Sequence, residues 1–580
     1  MNIRFVLPAF CGLLILVSGA RASEGASRPP ERIAHFDQMP KVVLLPGGTL
    51  AAYFLQHRGP GLPQTEDVQK MRVRTSSDNG KTWGEPQELF ALPREAGGFG
   101  YFERLADKDG EVHFFFLCDA NTGVVRMREK TDKQPAVEPL GRQSLDVWYV
   151  RSTDGRTKWT EAKPIWKGRA GDLQSVIQLK DGRLILPLSY LVPRSWGSRG
   201  EGFNAFTYMG QFDTTVLYSD DGGATWTKSS SVLRTPTPNL SAYGAVEPVA
   251  IELKDGRVWM LLRTQLGRFW ESFSSDRGAT WSAPQPTGIP SSDSPAGLLR
   301  LPDERILMIW NNCLRYPYAQ GARNVLHGAV SNDEGKTWRG CREIARDPKR
   351  VEPPPPGGDH GVSYPFVSLT PDGRAIYSLW VETGDGRSLF TVDPNWLTAT
   401  EQRDDFASGE IEPWSTYGTK GAEIVSNDAA KGGKVLALRK ADAEWPSAAV
   451  RNFPAGKTGS LKLRLLIEPG FGGASIQLTD HFSVPFDVED SYFAQYELRI
   501  GPQGEVEQGK RVSPNEWTDV ELRWDGTKRA CDVFVKGQPV ASLPLRREGM
   551  PPSYLRIRPL SSDVDKGRLL LEHVHVKVEP

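Results

Sequence analysis

Short runs of alternating apolar and polar residues recur through the first two thirds of the chain: MRVRT at 71, DVWYVR at 146, TTVLY at 214, FWESF at 269 and NVLHGAV at 324. A period of two turns one face of a strand to a core and the other to water, so each run predicts a half-buried β-strand. A near-copy of one turn follows each run: SSDNGKTW at 76, STDGRTKW at 152, SDDGGATW at 219, SSDRGATW at 274 and SNDEGKTW at 331. In such a turn the aspartate carboxylate accepts backbone N–H bonds and the glycine takes a positive φ. The tryptophan, five residues after the aspartate, folds back beneath the turn and buries a large ring. The unit is therefore a strand, a stapled hairpin turn and a return strand. Its aspartates are 76, 67, 55 and 57 residues apart, the spacing of sheets arranged as propeller blades. The copy at 152 is degenerate, with Gly155 one place early. Residues 30–397 hold about six units of roughly 60 residues each. The sixth has no such turn and is expected to close the ring by pairing 363–382 with a strand near 40–54.

From 398 the pattern changes. TATEQRDDFASGEIEP is polar and predicts an exposed connection with few contacts. Beyond it, KVLALRK, GSLKLRLLIEPG, GASIQLTD, FAQYELRIG, WTDVELRWDG and RLLLEHVHVKV alternate with turns at short intervals. That pattern predicts a β-sandwich over 398–580. The expected fold class is all-β: a six-bladed β-propeller over 30–397 followed by a β-sandwich of jelly-roll type.

Charge narrows the function. Lys+Arg and Asp+Glu are both 71, so no global field favours nucleic acid, and an anion site has to be local. The first 22 residues carry Arg4, a mostly apolar run from Phe5 to Val17, and Ala20-Arg21-Ala22 before Ser23. This reads as a secretory signal peptide, short for a membrane span, with a retained anchor as the alternative. The expected location is secreted or periplasmic, with no integral membrane segment once the signal is removed. Cys118, Cys313, Cys341 and Cys531 form no disulfide framework and no CxxC pair. They read as free buried thiols, with a Cys313–Cys341 bridge as the alternative. No histidine spacing matches a zinc site; His573 and His575 share one strand face without further ligands.

The five turns match the Asp box, S-x-D-x-G-x-[TS]-W, and the region resembles the sialidase (neuraminidase) superfamily of six-bladed propellers. In that family the boxes lie on the outer rim, so the resemblance makes them structural staples. It also implies a retaining glycosidase acting on glycoconjugates or oligosaccharides without metal or organic cofactor. Its nucleophile is a tyrosine, because a carboxylate would be repelled by the substrate's own. GAVEPVAIELKDGRVWMLLRT, 244–264, is similar to the family stretch with a glutamate before proline and an arginine on the next strand. Glu247 is then the general base and Arg263 a carboxylate clamp. SYPFVSLTPDGRAIYSLWVE, 363–382, looks like the tyrosine strand and makes Tyr364 the nucleophile. Arg323 matches a further family arginine. In QMPKVVLLPGGTL, Gln38 stands where the first clamp arginine belongs, while Lys41 has the opposite strand parity. Trp380 replaces the glutamate that orients that arginine, with Glu382 two residues on. QHRGPGLPQTEDVQK offers Arg58 as a further substrate contact and Asp67, beside Glu66, as the acid.

A neutral Gln38 holds a carboxylate less firmly than a forked arginine, which keeps open a same-fold glycosidase for a different sugar. A non-catalytic glycan-binding propeller is also open. NEWTDVELRWDGTKRACDVFVKGQPV resembles a concanavalin-like jelly roll, for which sugar binding and a structural appendage both stand.

Overall fold

The computed structural model describes residues 28–579 except 37, 57–69, 92–98, 121–124, 128–136, 140–143, 155–156, 194–209, 238–243, 314–321, 353–360, 381–386, 418–420 and 507–509. The proposed signal segment, Arg58, Glu66, Asp67 and Glu382 lie outside the described residues. Among those described, six four-stranded antiparallel sheets carry the first part of the chain, as blades do. The innermost strands are Lys41–Leu45, Phe99–Ala106, Ile177–Gln178, Val246–Glu252, Gly297–Arg300 and Ser363–Leu369. Arg104 ties three of them together, donating to Val42 O at 3.0 Å and Val367 O at 3.3 Å.

Ring closure differs from the expectation. Glu31–His35 pairs with Ser388–Val392 and completes the sixth sheet. Lys41–Leu45 and Thr49–Gln56 pair with each other in the first blade. Gly47 and Gly48, at φ 87° and 82°, make a tight hairpin there, and a local pairing closes at less entropic cost than a distant one. The 363–382 stretch supplies the inner two strands of the sixth blade.

Four of the five boxes have one internal geometry; at 152, Asp154 instead accepts from Thr157 N and Lys158 N, both at 2.8 Å. In the first, Ser76 Oγ donates to Asp78 at 2.8 Å and accepts from Gly80 N at 3.0 Å. Asp78 accepts from Thr82 N at 2.9 Å and Thr82 Oγ1 at 2.6 Å. The Trp83 indole N–H donates to Gly80 O at 2.8 Å. The same Ser–Asp–Gly–Thr set recurs at Asp221, Asp276 and Asp333. Each staple consumes its own carboxylate.

The remainder forms an eight-stranded and a five-stranded sheet. They enclose one core that includes Leu461, Leu463, Leu465, Ile476, Leu478, Trp524 and Ile557. Thr518–Asp525 alternates buried and less buried residues along its length, as its sequence predicts. The connection is not slack. Glu401–Asp404 pairs with Val574–Lys577, and Phe406 is buried in the sandwich core. An exposed sheet edge at 574–577 offers unpaired N–H and C=O groups, and the connecting chain satisfies them. The four described cysteines are free and buried. No helix among the described residues is long and apolar enough to cross a membrane.

Candidate active site

Glu247 and Tyr364 occupy equivalent places in the fourth and sixth blades. Each sits on the innermost strand, immediately before a proline, where the ladder breaks register. Proline has no N–H to give the ladder, so the strand bulges there and re-aims the preceding side chain. Both residues adopt positive φ, 45° for Glu247 and 55° for Tyr364. A non-glycine residue in that region costs on the order of 1–3 kcal/mol and persists only where its surroundings enforce it. The second blade has a matching break between Phe99 and Phe102, at Tyr101.

The bulges bring the two side chains together from 117 residues apart: Tyr364 Oη donates to Glu247 Oε1 at 2.9 Å. Arg263, on the strand beside Glu247, completes the triangle. One of its terminal nitrogens lies 2.5 Å from Glu247 Oε2 and 2.8 Å from Tyr364 Oη. Its Nε donates to Asp293 at 2.7 Å, and Gln265 holds the other oxygen of Asp293 at 3.0 Å. Arg263, Glu247 and Asp293 are all buried. Burial raises the Tyr364 hydroxyl pKa well above the ordinary phenol range; Arg263 opposes that shift and Glu247 adds to it. The tyrosine is thus a neutral phenol hydrogen-bonded to a carboxylate.

Above this triangle lies a cavity of about 190 Å³ lined by Tyr364, Arg323, Phe366, Trp380, Met39, Tyr101, Asp172, Leu173 and Gln174. Arg323 places its guanidinium 5.2 Å from the centre of the Tyr364 ring and donates to Asp293 O at 3.0 Å. Of the positions singled out by sequence, Tyr364, Glu247, Arg263 and Arg323 converge. Gln38 is half-buried and does not line the cavity, although its neighbour Met39 does. Lys41 is buried. Its ammonium meets Glu103 at 2.9 Å and lies 3.3 Å from the centre of the Phe366 ring, and burial lowers its pKa to about 8.

Asp172, Gln174, Tyr101 and Asp293 escaped the sequence reading. A signal for one of them existed. Glu247, Tyr364 and Tyr101 each stand eight residues before the aspartate of an Asp-Gly turn, at 255, 372 and 109. The turn ending an inner strand sets the register of the residue at its other end. Asp172 lies nine before Asp181, and Asp293 lies ten before Asp303, so they fall outside that rule. Asp107, Glu111 and His113 bring potential metal ligands within 4.8 Å of one another. Asp107 there already accepts from Asp109 N, Glu111 N and the His113 ring, which is how a turn is stapled.

Comparison with known proteins agrees with the box pattern. The BNR repeat-like domain family matches residues 102–377. A sialidase from Micromonospora viridifaciens is 26% identical over 386 residues, 62% of this chain and 52% of the relative. A sialidase from Clostridium perfringens is 25% identical over 215 residues, 33% of this chain and 52% of the relative. The chain thus spans about half the length of the curated relatives it matches. Among solved structures, a Dyadobacter fermentans protein of unknown function is 18% identical with a TM-score of 0.42, covering 63% of this chain and 99% of its own. Trypanosoma rangeli sialidase is 15% identical with a TM-score of 0.39, covering 96% and 93%.

Proposed function

As a member of the sialidase superfamily, the chain is, we propose, an exported exo-glycosidase that releases terminal sialic-acid-like residues from glycoconjugates with retention of configuration. The observation that carries this reading is the 2.9 Å hydrogen bond from Tyr364 to Glu247 with Arg263 bridging both. In the proposed first step Tyr364 Oη attacks the anomeric carbon while its proton passes to Glu247. The bond to the leaving oxygen breaks, and that oxygen takes a proton from the acid, assigned to Asp67. In the second step water replaces the tyrosine, Asp67 accepts the water's proton, and Glu247 returns one to the phenolate. A phenol with a raised pKa is a poor nucleophile alone, which is why a base within hydrogen-bond reach matters. Arg323 meets the substrate carboxylate in the cavity. Arg263, buried beneath it, holds nucleophile and base in register and supplies positive charge. Arg58 completes the proposed substrate contacts.

The test is chemical trapping. A fluorinated sialoside should leave a covalent adduct on Tyr364, and Tyr364→Phe should remain folded but lose turnover. An adduct on another residue, or an active Phe variant, refutes the assignment. A second reading, a glycosidase of the same fold for a different sugar, is favoured by the Gln38 position and by the Asp172 carboxylate in the cavity. A panel of aryl glycosides separates the two: hydrolysis of a neutral glycoside without hydrolysis of the sialoside selects the second.

A further inference from the structure

The described residues lining the central cavity include one carboxylate, Asp172, to which the reaction proposed above gives no role. Asp172 is half-buried, and the chain before it is fixed. Ala170 forms a β-bridge with Tyr190, and Gly171 N donates to Ser189 O at 2.8 Å. Gly171 lies so close to that strand that a Cβ there would collide with Ser189 Oγ. The same Oγ accepts from Glu247 N at 3.2 Å, so one serine holds the backbone both at Glu247 and beside Asp172. In a ring of six sheets taken in chain order, the third stands across the axis from the sixth. Asp172 leads into the inner strand of the third, and Tyr364 opens the inner strand of the sixth. Gln174 spans the gap, its side-chain amide reaching Pro365 O at 3.5 Å. Asp172 therefore lies across the cavity from Tyr364.

Burial is what raises the Tyr364 hydroxyl pKa and lowers that of Lys41. The Asp172 charge adds a smaller upward push to both, so its carboxylate is within electrostatic reach of each. An upward push makes Tyr364 harder to ionise, which works against a nucleophile. What Asp172 contributes therefore lies with the substrate. Arg323, from the fifth blade, is the cation among the described lining residues. A carboxylate only accepts hydrogen bonds, so Asp172 favours hydroxyls and repels a second carboxylate. A sugar acid in this cavity is thereby oriented from two sides. Its carboxylate goes to Arg323, and an edge carrying hydroxyls goes to Asp172. Tyr101, Phe366 and Trp380 offer aromatic surface to the apolar face of the ring, and Trp380, 42% exposed, is open to a ligand.

We propose that Asp172 is a specificity-determining residue, accepting hydrogen bonds from hydroxyls of the bound sugar on the side of the cavity away from Arg323. It selects a sugar with one acidic group and free hydroxyls on the opposite edge, and it disfavours a second anionic substituent there. This rests on the central cavity being the sugar site, as proposed above.

The experiment is calorimetry on the full chain, as parent, Asp172→Asn and Asp172→Ala, with a sialic-acid glycal and its monodeoxy analogues as probes. Melting temperatures show that each variant is folded, and Asp172→Asn keeps the shape of the side chain. Asp172→Ala should weaken the glycal by about tenfold or more, the worth of a hydrogen bond to a charged group. One deoxy analogue should bind the parent weakly yet bind parent and Ala variant alike, because the hydroxyl and its acceptor are lost together. On an aryl sialoside the loss should fall on KM more than on kcat. The proposal is overturned if both folded variants bind the glycal as tightly as the parent. It is also overturned if affinity stays while lost turnover returns with a better leaving group, which would make Asp172 the acid. A parent that neither binds the glycal nor cleaves the sialoside refutes the sialic-acid reading instead. Asp172→Ala should then raise KM for whichever neutral aryl glycoside is cleaved. An unchanged KM there, or no glycoside cleaved at all, overturns the assignment of Asp172 as well.

Discussion

Glu247 and Tyr364 are the two residues whose backbone conformation and side-chain contact argue for the same thing. Each stands before a proline at positive φ, and each would relax if its strand were regular. The fold retains that strain at two places 117 residues apart, and the two side chains meet. Strain kept in this way marks a site where orientation matters more than stability. If Glu247 takes the proton of Tyr364, Glu247→Gln should preserve the fold and lower turnover by about 10²–10⁴-fold, the usual worth of a positioned base. Steady-state rates on an aryl sialoside check this, with ligand affinity as the control. Arg323 reaches the cavity whereas Arg263 is buried beneath it, so their losses should differ. Arg323→Ala should weaken an acidic glycoside by tens-fold or more, at about 2–5 kcal/mol for a lost charged contact, and spare a neutral one. Arg263→Ala should also lower the stability, because Glu247 and Asp293 would be left as buried charges without their partner.

At the scale of the element, the box is a turn that uses its own aspartate as a scaffold. Hydrogen bonds from the threonine hydroxyl and amide hold the Asp78 carboxyl at about 2, and Asp221 is held at about 2 by Thr225 in the same way. A carboxyl whose folded pKa is depressed stabilises the fold above its ordinary value of 3.8. That contribution is lost as pH falls through the folded value, so the window runs from 3.8 down to about 2. Asp78→Ala and Asp221→Ala should therefore lower the melting temperature at neutral pH and leave turnover unchanged. The difference from the parent protein should shrink on acidification through that window, as calorimetry at stepped pH would record. An activity loss in either variant without destabilisation would contradict a purely structural box.

Across the whole molecule, the fifth blade and the sandwich share buried polar contacts. Tyr554 of the sandwich donates to Glu343 at 2.6 Å and meets the ring of His327 at 2.5 Å, both in the propeller. Asn452 accepts from Glu343 N at 3.0 Å and donates to Cys341 O at 3.0 Å. Asn312 donates to Asp480 O at 2.7 Å. Such a seam couples the two parts, so thermal unfolding should be one transition rather than two. Limited proteolysis near 398–412 should not release two stable pieces. Tyr554→Phe should cost about 1–3 kcal/mol, because a buried carboxylate loses a donor. Burial lowers the His327 pKa to about 4 from its ordinary 6.5, with nearby Glu343 opposing the shift. The unfolded chain then binds the proton more readily, so stability falls as pH drops from 6.5 to about 4. His327→Gln should flatten that part of the stability–pH curve.

The sequence by itself determined the all-β class, the repeated blade and the sandwich, because period-two alternation and turn chemistry are local and survive in a string of letters. It also led to Glu247, Tyr364, Arg263 and Arg323, because the stretches around them resemble sialidase segments. Which strand closes the ring was decided by tertiary structure: Glu31–His35 carries little local signal, and the Gly47-Gly48 hairpin claims the strand that looked available. Asp172 and Asp293 reach the site from segments outside the turn register, so only the convergence of the blades brings them there. The seam between propeller and sandwich is likewise invisible to a pattern read along the chain. The hydrogen bonds of Tyr554, Asn452 and Asn312 there join residues more than a hundred positions apart, and only packing brings those partners together.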